Sequence, residues 1–304
     1  MSSSGTVTIL DSAAAAERSR FGRVLMFPMA FVLVAVLWEG YKAIGPADGG
    51  KLFGVRLLPR TGERSMPHVW DMESRLSQPE NSGTTSSVGK VVVAATWYSL
   101  RVALAAFVLG TLLGVGIAIV MARFRVVERA LMPYLIVSQT VPIIVLAPLI
   151  FSLMANASRS MTEHTWLAAC ALGAFLALFP VAVSTLRGLQ SAPVAAVELM
   201  DSYAASWWQS LVKLRLPNAV AFIAPALRLA GASAVVGVVV SEISLGLRAG
   251  IGRLILTYGQ EASTDPPKLF SAVFGAAVLG LLMAALVAGI DLFLMRHRPA
   301  EQSS

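Results

Sequence analysis

The chain alternates long apolar runs with polar stretches, and no other feature constrains its fold as strongly. The runs fall at about residues 24–38, 99–121, 131–154, 165–186, 222–247 and 270–295, the first continuing as a span to about residue 44. An α-helix rises ~1.5 Å per residue, so about 20 apolar residues cross a ~30 Å hydrocarbon core. Peptide groups in that core find no water and have to be satisfied within the structure, as a helix does for its own backbone. The expectation is an all-α membrane protein, a polytopic helical bundle of about six transmembrane helices. Composition agrees: 56% of the 304 residues are hydrophobic and 13% are charged, with a mean hydropathy of +0.72, far from a soluble balance. The single cysteine, Cys170, lies inside an apolar run, so no intrachain disulfide can form.

Charge sets the expected orientation. Arg18, Arg20 and Arg23 precede or open the first run, Arg123, Arg125 and Arg129 follow the second, Arg187 ends the fourth, and Arg296 and Arg298 follow the last. Cytoplasmic loops carry an excess of Lys and Arg, which puts these clusters and both termini inside. Residues 1–22 are then a cytoplasmic tail, 23–44 an uncleaved first span whose Glu39 and Lys42 snorkel to the headgroups, and 297–304 a second cytoplasmic tail. The stretch 45–90 is punctuated by Pro46, Gly49, Gly50, Pro59, Gly62, Pro67, Pro79 and Gly83, and is expected as an extracytoplasmic loop. Within it, Val69, Met72 and Leu76 recur on one side, the pattern of an interfacial helix over 67–76. The formal net charge of +7 borders apolar runs without clustering among exposed aromatics, which points to membrane lipid and away from nucleic acid.

Inside the runs, small and polar residues mark packing and function. Gly110, Gly114 and Gly116 in the second span, and Gly231, Ala232, Ser233 and Gly237 in the fifth, let helices approach closely in lipid. Pro133, Pro142 and Pro148 fall within the third span, and each removes an amide and crowds the preceding turn, so that helix is expected to bend or break. Bends are tolerated where the freed carbonyls face protein or water. That makes Gln139, Pro142 and Pro148 pathway candidates, with a kink packed against its neighbours as the plainer reading. Glu242, an acid in an apolar run, is costly and by default a functional candidate, although its place near the outer end also suits a hydrated structural role. Asp291, close to Arg296 and Arg298, reads as half of a snorkelling ion pair.

Between the fourth and fifth spans lies ELMDSYAASWWQSLVKLRLP, residues 198–217. Glu198, Asp201, Lys213 and Arg215 are too many charges for hydrocarbon, so the segment sits outside it. Leu199, Tyr203, Trp207 and Leu211 recur at helical spacing, the stripe of one amphipathic helix with Glu198 near its start, and Leu216-Pro217 is expected to break it. The spacing of Glu198, Ala204 and Leu214-Arg215-Leu216-Pro217 resembles the cytoplasmic EAA loop of binding-protein-dependent ABC transporter permeases, E-A-A-x3-G-x9-I-x-L-P. Leu199-Met200 stand where that pattern has alanines, and Ala204 where it has glycine, so an alanine has to make the tight turn that glycine permits. The resemblance runs over about 98–295 and includes Ser138-Gln139-Thr140-Val141-Pro142, Ala147-Pro148-Leu149, Pro180, Gly188, Ser241-Glu242 and Gly250-Ile251-Gly252. Together these look like the nitrate, sulfonate and taurine branch of importer permeases. The wording of 138–149 and 198–216 looks closer to members that import vitamin precursors, such as pyrimidines or flavins, than to sulfonate importers.

The resemblance implies a MetI-like type I ABC importer fold, with a permease core at 91–296 and a coupling loop at 188–220. It implies that Glu198, Asp201, Ala204, Ala205, Trp208, Leu214, Leu216 and Pro217 join the chain to a cytoplasmic ATP-binding-cassette ATPase. A second permease copy or a related permease then completes the pathway, and an extracytoplasmic solute-binding protein delivers a small organic solute. The implied place is the bacterial plasma membrane, crossed several times. The residues add what is missing: no G-x-x-x-x-G-K-[ST] loop occurs, and His68, His164 and His297 have no ligand-like spacing, so neither ATP hydrolysis nor a metal or other cofactor is expected. The alternative from another class is an integral-membrane enzyme acting on a lipid or membrane substrate, which needs a nucleophile and a base facing each other in the bilayer.

Overall fold

The computed structural model describes residues 29, 32–47, 49–52, 55–56, 59–157 and 165–295. The chain divides into two compact units, Met1–Arg75 with Ala262–Pro267, and Leu76–Glu261 with Lys268–Ser304.

In the first unit, residues 32–44 form a helix, α1, which is the described part of the first expected span. Its polar end does not snorkel. The Lys42 side chain is 6% exposed and donates to Glu63 Oε1 at 3.0 Å and to the Met66 carbonyl at 2.6 Å. Glu39 accepts the Val69 amide at 2.7 Å and pairs with His68 Nδ1 at 2.8 Å. The following segment thus supplies the partners that lipid headgroups were expected to supply. A short antiparallel pair, β1 (Lys51–Leu52) and β2 (Val55–Arg56), is followed by α2 (Val69–Ser77), whose Arg75 pairs with Asp265 at 2.8 Å.

The second unit is a helical bundle of α3 (Val88–Arg123), α4 (Arg125–Ser138), α5 (Ile143–Ala157), α6 (Trp166–Gln190), α7 (Val194–Ser202), α8 (Trp207–Ser210), a π turn (Leu211–Arg215), α9 (Leu216–Ser244), α10 (Ile251–Glu261) and α11 (Pro266–Met295). Among the described residues, four helical stretches are long and apolar enough to cross a membrane: Val88–Arg123, Trp166–Gln190, Trp207–Ser244 and Pro266–Phe293. The third expected span is not one bent helix. Arg125–Ser138 and Ile143–Met154 meet at 115°, and the break falls just before Pro142, which lacks an amide and disfavours helix at its predecessor.

The central helix α6 packs closely on both α3 and α9. Their shared core is built largely from small side chains: Ala103 and Ala106 of α3, Ala169, Ala174 and Ala177 of α6, and Ala230 and Ala234 of α9 are all buried. Lipid tails are as apolar as leucine, so helices in a membrane associate through close approach, and glycine sets how close. A Cβ on Gly110 would stand 2.5 Å from the Ala174 carbonyl oxygen, and one on Gly237 would stand 2.7 Å from Gly173 Cα. Gly114 meets α6 in the same way, but Gly116 has nothing within 4 Å and takes no part in the contact expected of it.

Candidate functional site

Helix α7 has no buried residue. Glu198 and Asp201 are exposed on it, Glu198 at its fifth position and not at its start, and Leu199 is exposed beside them. The chain then reverses. Ala204 has φ 49°, which no other non-glycine among the described residues shares in sign. Its amide donates to the Asp201 carbonyl at 2.9 Å, and the Ala205 amide donates to the Met200 carbonyl at 3.0 Å. These are the two bonds of a Schellman helix end, whose left-handed residue is ordinarily glycine. Ser206 next caps α8: its Oγ accepts the Gln209 amide at 3.3 Å, while its own amide donates to Gln209 Oε1 at 2.7 Å. Two devices therefore stop one helix and start another where the apolar stripe predicted a single helix through Trp208.

The expected break at Leu216-Pro217 is absent. Pro217 stands in the first turn of α9, and the π turn before it, in which the Leu216 amide reaches back to the Leu211 carbonyl, leads straight into that helix. The stripe accordingly divides. Leu211 is buried with Leu189 and Ala219, and Trp207 is half-buried, whereas Tyr203 is 78% and Trp208 64% exposed. Glu198, Asp201, Ala204 and Trp208 are thus all exposed, as is Pro217, while Ala205, Leu214 and Leu216 are half-buried.

The pathway candidates do not form one cluster. Gln139 is exposed as the C-cap of α4 and Pro142 is exposed just before α5, so these two belong to the elbow, whereas Pro148 is exposed within α5 itself. Glu242 is 0% exposed, which replaces the hydrated role its position suggested. Ser99 Oγ donates to Glu242 Oε1 at 2.7 Å, the Gly252 amide donates to Oε2 at 2.8 Å, and the Ile251 amide donates to Ser99 Oγ at 2.9 Å. A carboxylate can be enclosed when donors meet both its oxygens. Gly250, at φ 108°, lies so close that any side chain there would strike this carboxylate. Glu242 therefore fastens the first turn of α10 to α3 and α9. Sequence reasoning missed Ser99 because 143 positions separate the pair and a serine at a span end reads as a packing residue.

Asp291 also has a different partner from the expected one. It is ion-paired with Arg228 of α9, and Arg296 and Arg298 lie outside the described residues. Arg228 went unnoticed although it is a cation inside a span, and its side chain is 62% exposed. His68 stacks on Trp70 at 4.2 Å between ring centres, His164 and His297 lie outside the described residues, and no group of metal-ligating side chains occurs among those described.

Residues 106–297 match the family model described as the binding-protein-dependent transport system inner membrane component. The chain is 31% identical over 193 residues to the formylaminopyrimidine transport permease protein ThiX of Halalkalibacterium halodurans, which covers 62% of this chain and 72% of that one. It is 29% identical over 175 residues to the riboflavin transport system permease protein RibX of Chloroflexus aurantiacus, over 58% of this chain and 61% of that one. A crystal structure of an amino acid ABC transporter with histidines matches with a TM-score of 0.51 and 18% identity, covering 68% of this chain and 94% of that chain, a likeness of fold alone.

Proposed function

This chain belongs to the binding-protein-dependent transport system inner membrane components, and we propose that α7, the turn at Ala204 and α8 are its joint to the ATPase. As a member it is a permease subunit of an ABC importer with a MetI-like helical fold, a multi-pass protein of the bacterial plasma membrane and not an enzyme. The family implies an ATPase and a solute-binding protein as partners.

The observation that carries the proposal is a nine-residue helix with no buried residue, followed by an exposed tyrosine and tryptophan. A short exposed helix with apolar side chains such as Leu199 open on its surface suits a groove on a soluble subunit. The same end of the bundle carries Arg123, Arg125, Arg129, Arg187, Lys213 and Arg215, the charge bias of a cytoplasmic face, which supports reading the end that holds α10 as the outer one. Because the π turn runs unbroken into the 29-residue α9, a push on α7 and α8 travels into a spanning helix. Two permeases, rocking as their ATPases close, then alternate between inward-open and outward-open states. A pair is favoured because one set of spans is too small to enclose a pathway and bury its small-residue faces as well. For the cargo we propose a small heterocyclic vitamin precursor, a reading that rests on the names of the relatives.

Co-purification of the full chain with its ATPase tests the joint. Glu198→Ala and Trp208→Ala are each expected to lower ATPase recovery about tenfold, the loss of one anchoring contact at a docked surface. Ser202→Ala is expected to leave recovery unchanged, since that hydroxyl bonds only the Leu199 carbonyl of its own helix. Undiminished recovery in both Glu198→Ala and Trp208→Ala would contradict the proposal.

A further inference from the structure

A cavity of about 590 Å³ lies where the α3–α4 junction, the end of α6 and the π turn meet, with Arg123, Arg125, Glu128, Gln190, Trp207 and Arg215 in its wall. Three of these groups are guanidinium ions and one is a carboxylate. The carboxylate is already engaged, for Glu128 Oε1 accepts from Gln190 Nε2 at 3.0 Å. Arg123 rests over the Trp207 and Phe124 rings, at 5.3 and 5.7 Å from their centres, contacts that use none of its N–H donors. Arg215 Nη1 makes one long bond, 3.4 Å to the Leu189 carbonyl, and its Nε is buried with no partner. Arg215 is thus a half-buried guanidinium whose donors are sparsely met, and a charged group left so is costly. Helix α4 begins at Arg125 with Phe124 as a cap that offers no side-chain bond, and the positive end of a 14-residue helix therefore adds to the same wall.

We propose that this cavity binds a phosphate group, that of an anionic phospholipid headgroup. Guanidinium forks match phosphate oxygens in geometry as well as charge, and one phosphate answers three guanidinium groups that line one cavity. The lipid is the source that fits best because Phe124 and Val126, on either side of Arg125, are exposed and apolar, Val126 by 80%, and give an acyl chain a surface next to the cations. The bound headgroup ties the α3–α4 junction to Arg215, the residue from which α9 starts.

The test is lipid retention by the full chain purified in mild detergent, read by native mass spectrometry after addition of phosphatidylglycerol or phosphatidylcholine. Phosphatidylglycerol is expected to be retained in preference. Arg123→Gln and Arg215→Gln are each expected to cut that retention about tenfold. Arg215→Lys should keep most of it, and Arg187→Gln, an exposed arginine at the same membrane end but outside the cavity, should keep all of it. Gel filtration shows which variants fold, and if Arg215→Gln does not, Arg125→Gln at an exposed position gives the same readout. Displacement of the lipid by millimolar inorganic phosphate, with the same variant dependence, keeps the phosphate site and overturns the lipid as its occupant. No preference for phosphatidylglycerol, or equal loss in Arg187→Gln and Arg215→Gln, overturns the site.

Discussion

Glu242 survives in the interior because donors from two other elements meet both its carboxylate oxygens. Glu242→Ala strands the Ser99 hydroxyl and the Gly252 amide, at about 1–3 kcal/mol for each buried donor left unpaired. The unfolding midpoint in detergent is expected to fall by roughly 5 °C, and less for Glu242→Gln, which keeps one acceptor. A Glu242→Ala protein that melts with the wild type would show the node to be dispensable. Ala204 presents the opposite case, a residue under strain. The left-handed region costs an alanine about 1–2 kcal/mol, and Ala204→Gly trades that for roughly 0.5–1 kcal/mol of extra chain entropy. The expected outcome is a neutral to slightly stabilised protein, with Ala204→Val clearly destabilised in the same assay; equal stability of all three would mean that the turn is not held. Of these two residues, the turn was legible in sequence, because a glycine in the resembling pattern sits at Ala204. The Glu242 node was not, because hydropathy says that an acid is costly without saying which distant hydroxyl compensates it.

At the scale of elements, the spans were legible because hydropathy and length are one-dimensional properties. Which side of each helix meets a neighbour was less so. Three glycines of α3 read alike, yet Gly110 and Gly114 face α6 while Gly116 faces nothing within 4 Å. Gly237→Val is expected to cost about 3 kcal/mol or more, since its new carbons would meet the Gly173 backbone and neither helix can retreat far. Gly116→Val should change stability little. Thermal unfolding of the two variants decides between them, and equal behaviour would contradict the close α6–α9 contact. The proline-rich span shows the same limit: three prolines foretold a break, but a 115° turn confined to Gln139–Pro142 depends on where α5 finds its footing on α6 and α9. Apolar spacing alone reads 199–211 as one helix, because a Schellman end and a capping box are encoded by single residues that such a stripe passes over, and only the resemblance marks the turn at Ala204.

For the whole molecule, the expected orientation places Ser82 outside and Tyr203 inside. Both are exposed, and Cys170 is buried, so single cysteines at these positions can be labelled selectively. A membrane-impermeant maleimide added to intact cells is expected to label Ser82→Cys and spare Tyr203→Cys; the reverse would invert the topology. The native mass of the assembled complex should correspond to two permease subunits. What made the family legible was the spacing of the EAA-like stretch together with the proline-rich and Gly250-Gly252 segments, and what kept the cargo illegible is that a permease alone does not select it. We propose that motion of an ATPase enters this bundle through α7 and α8. ATP-driven uptake into vesicles containing the complete transporter, with hydrolysis followed in parallel, tests it most directly: Glu198→Ala and Trp208→Ala should abolish most uptake whether or not hydrolysis persists, with Ser202→Ala unaffected, whereas wild-type uptake and hydrolysis in both variants would contradict it.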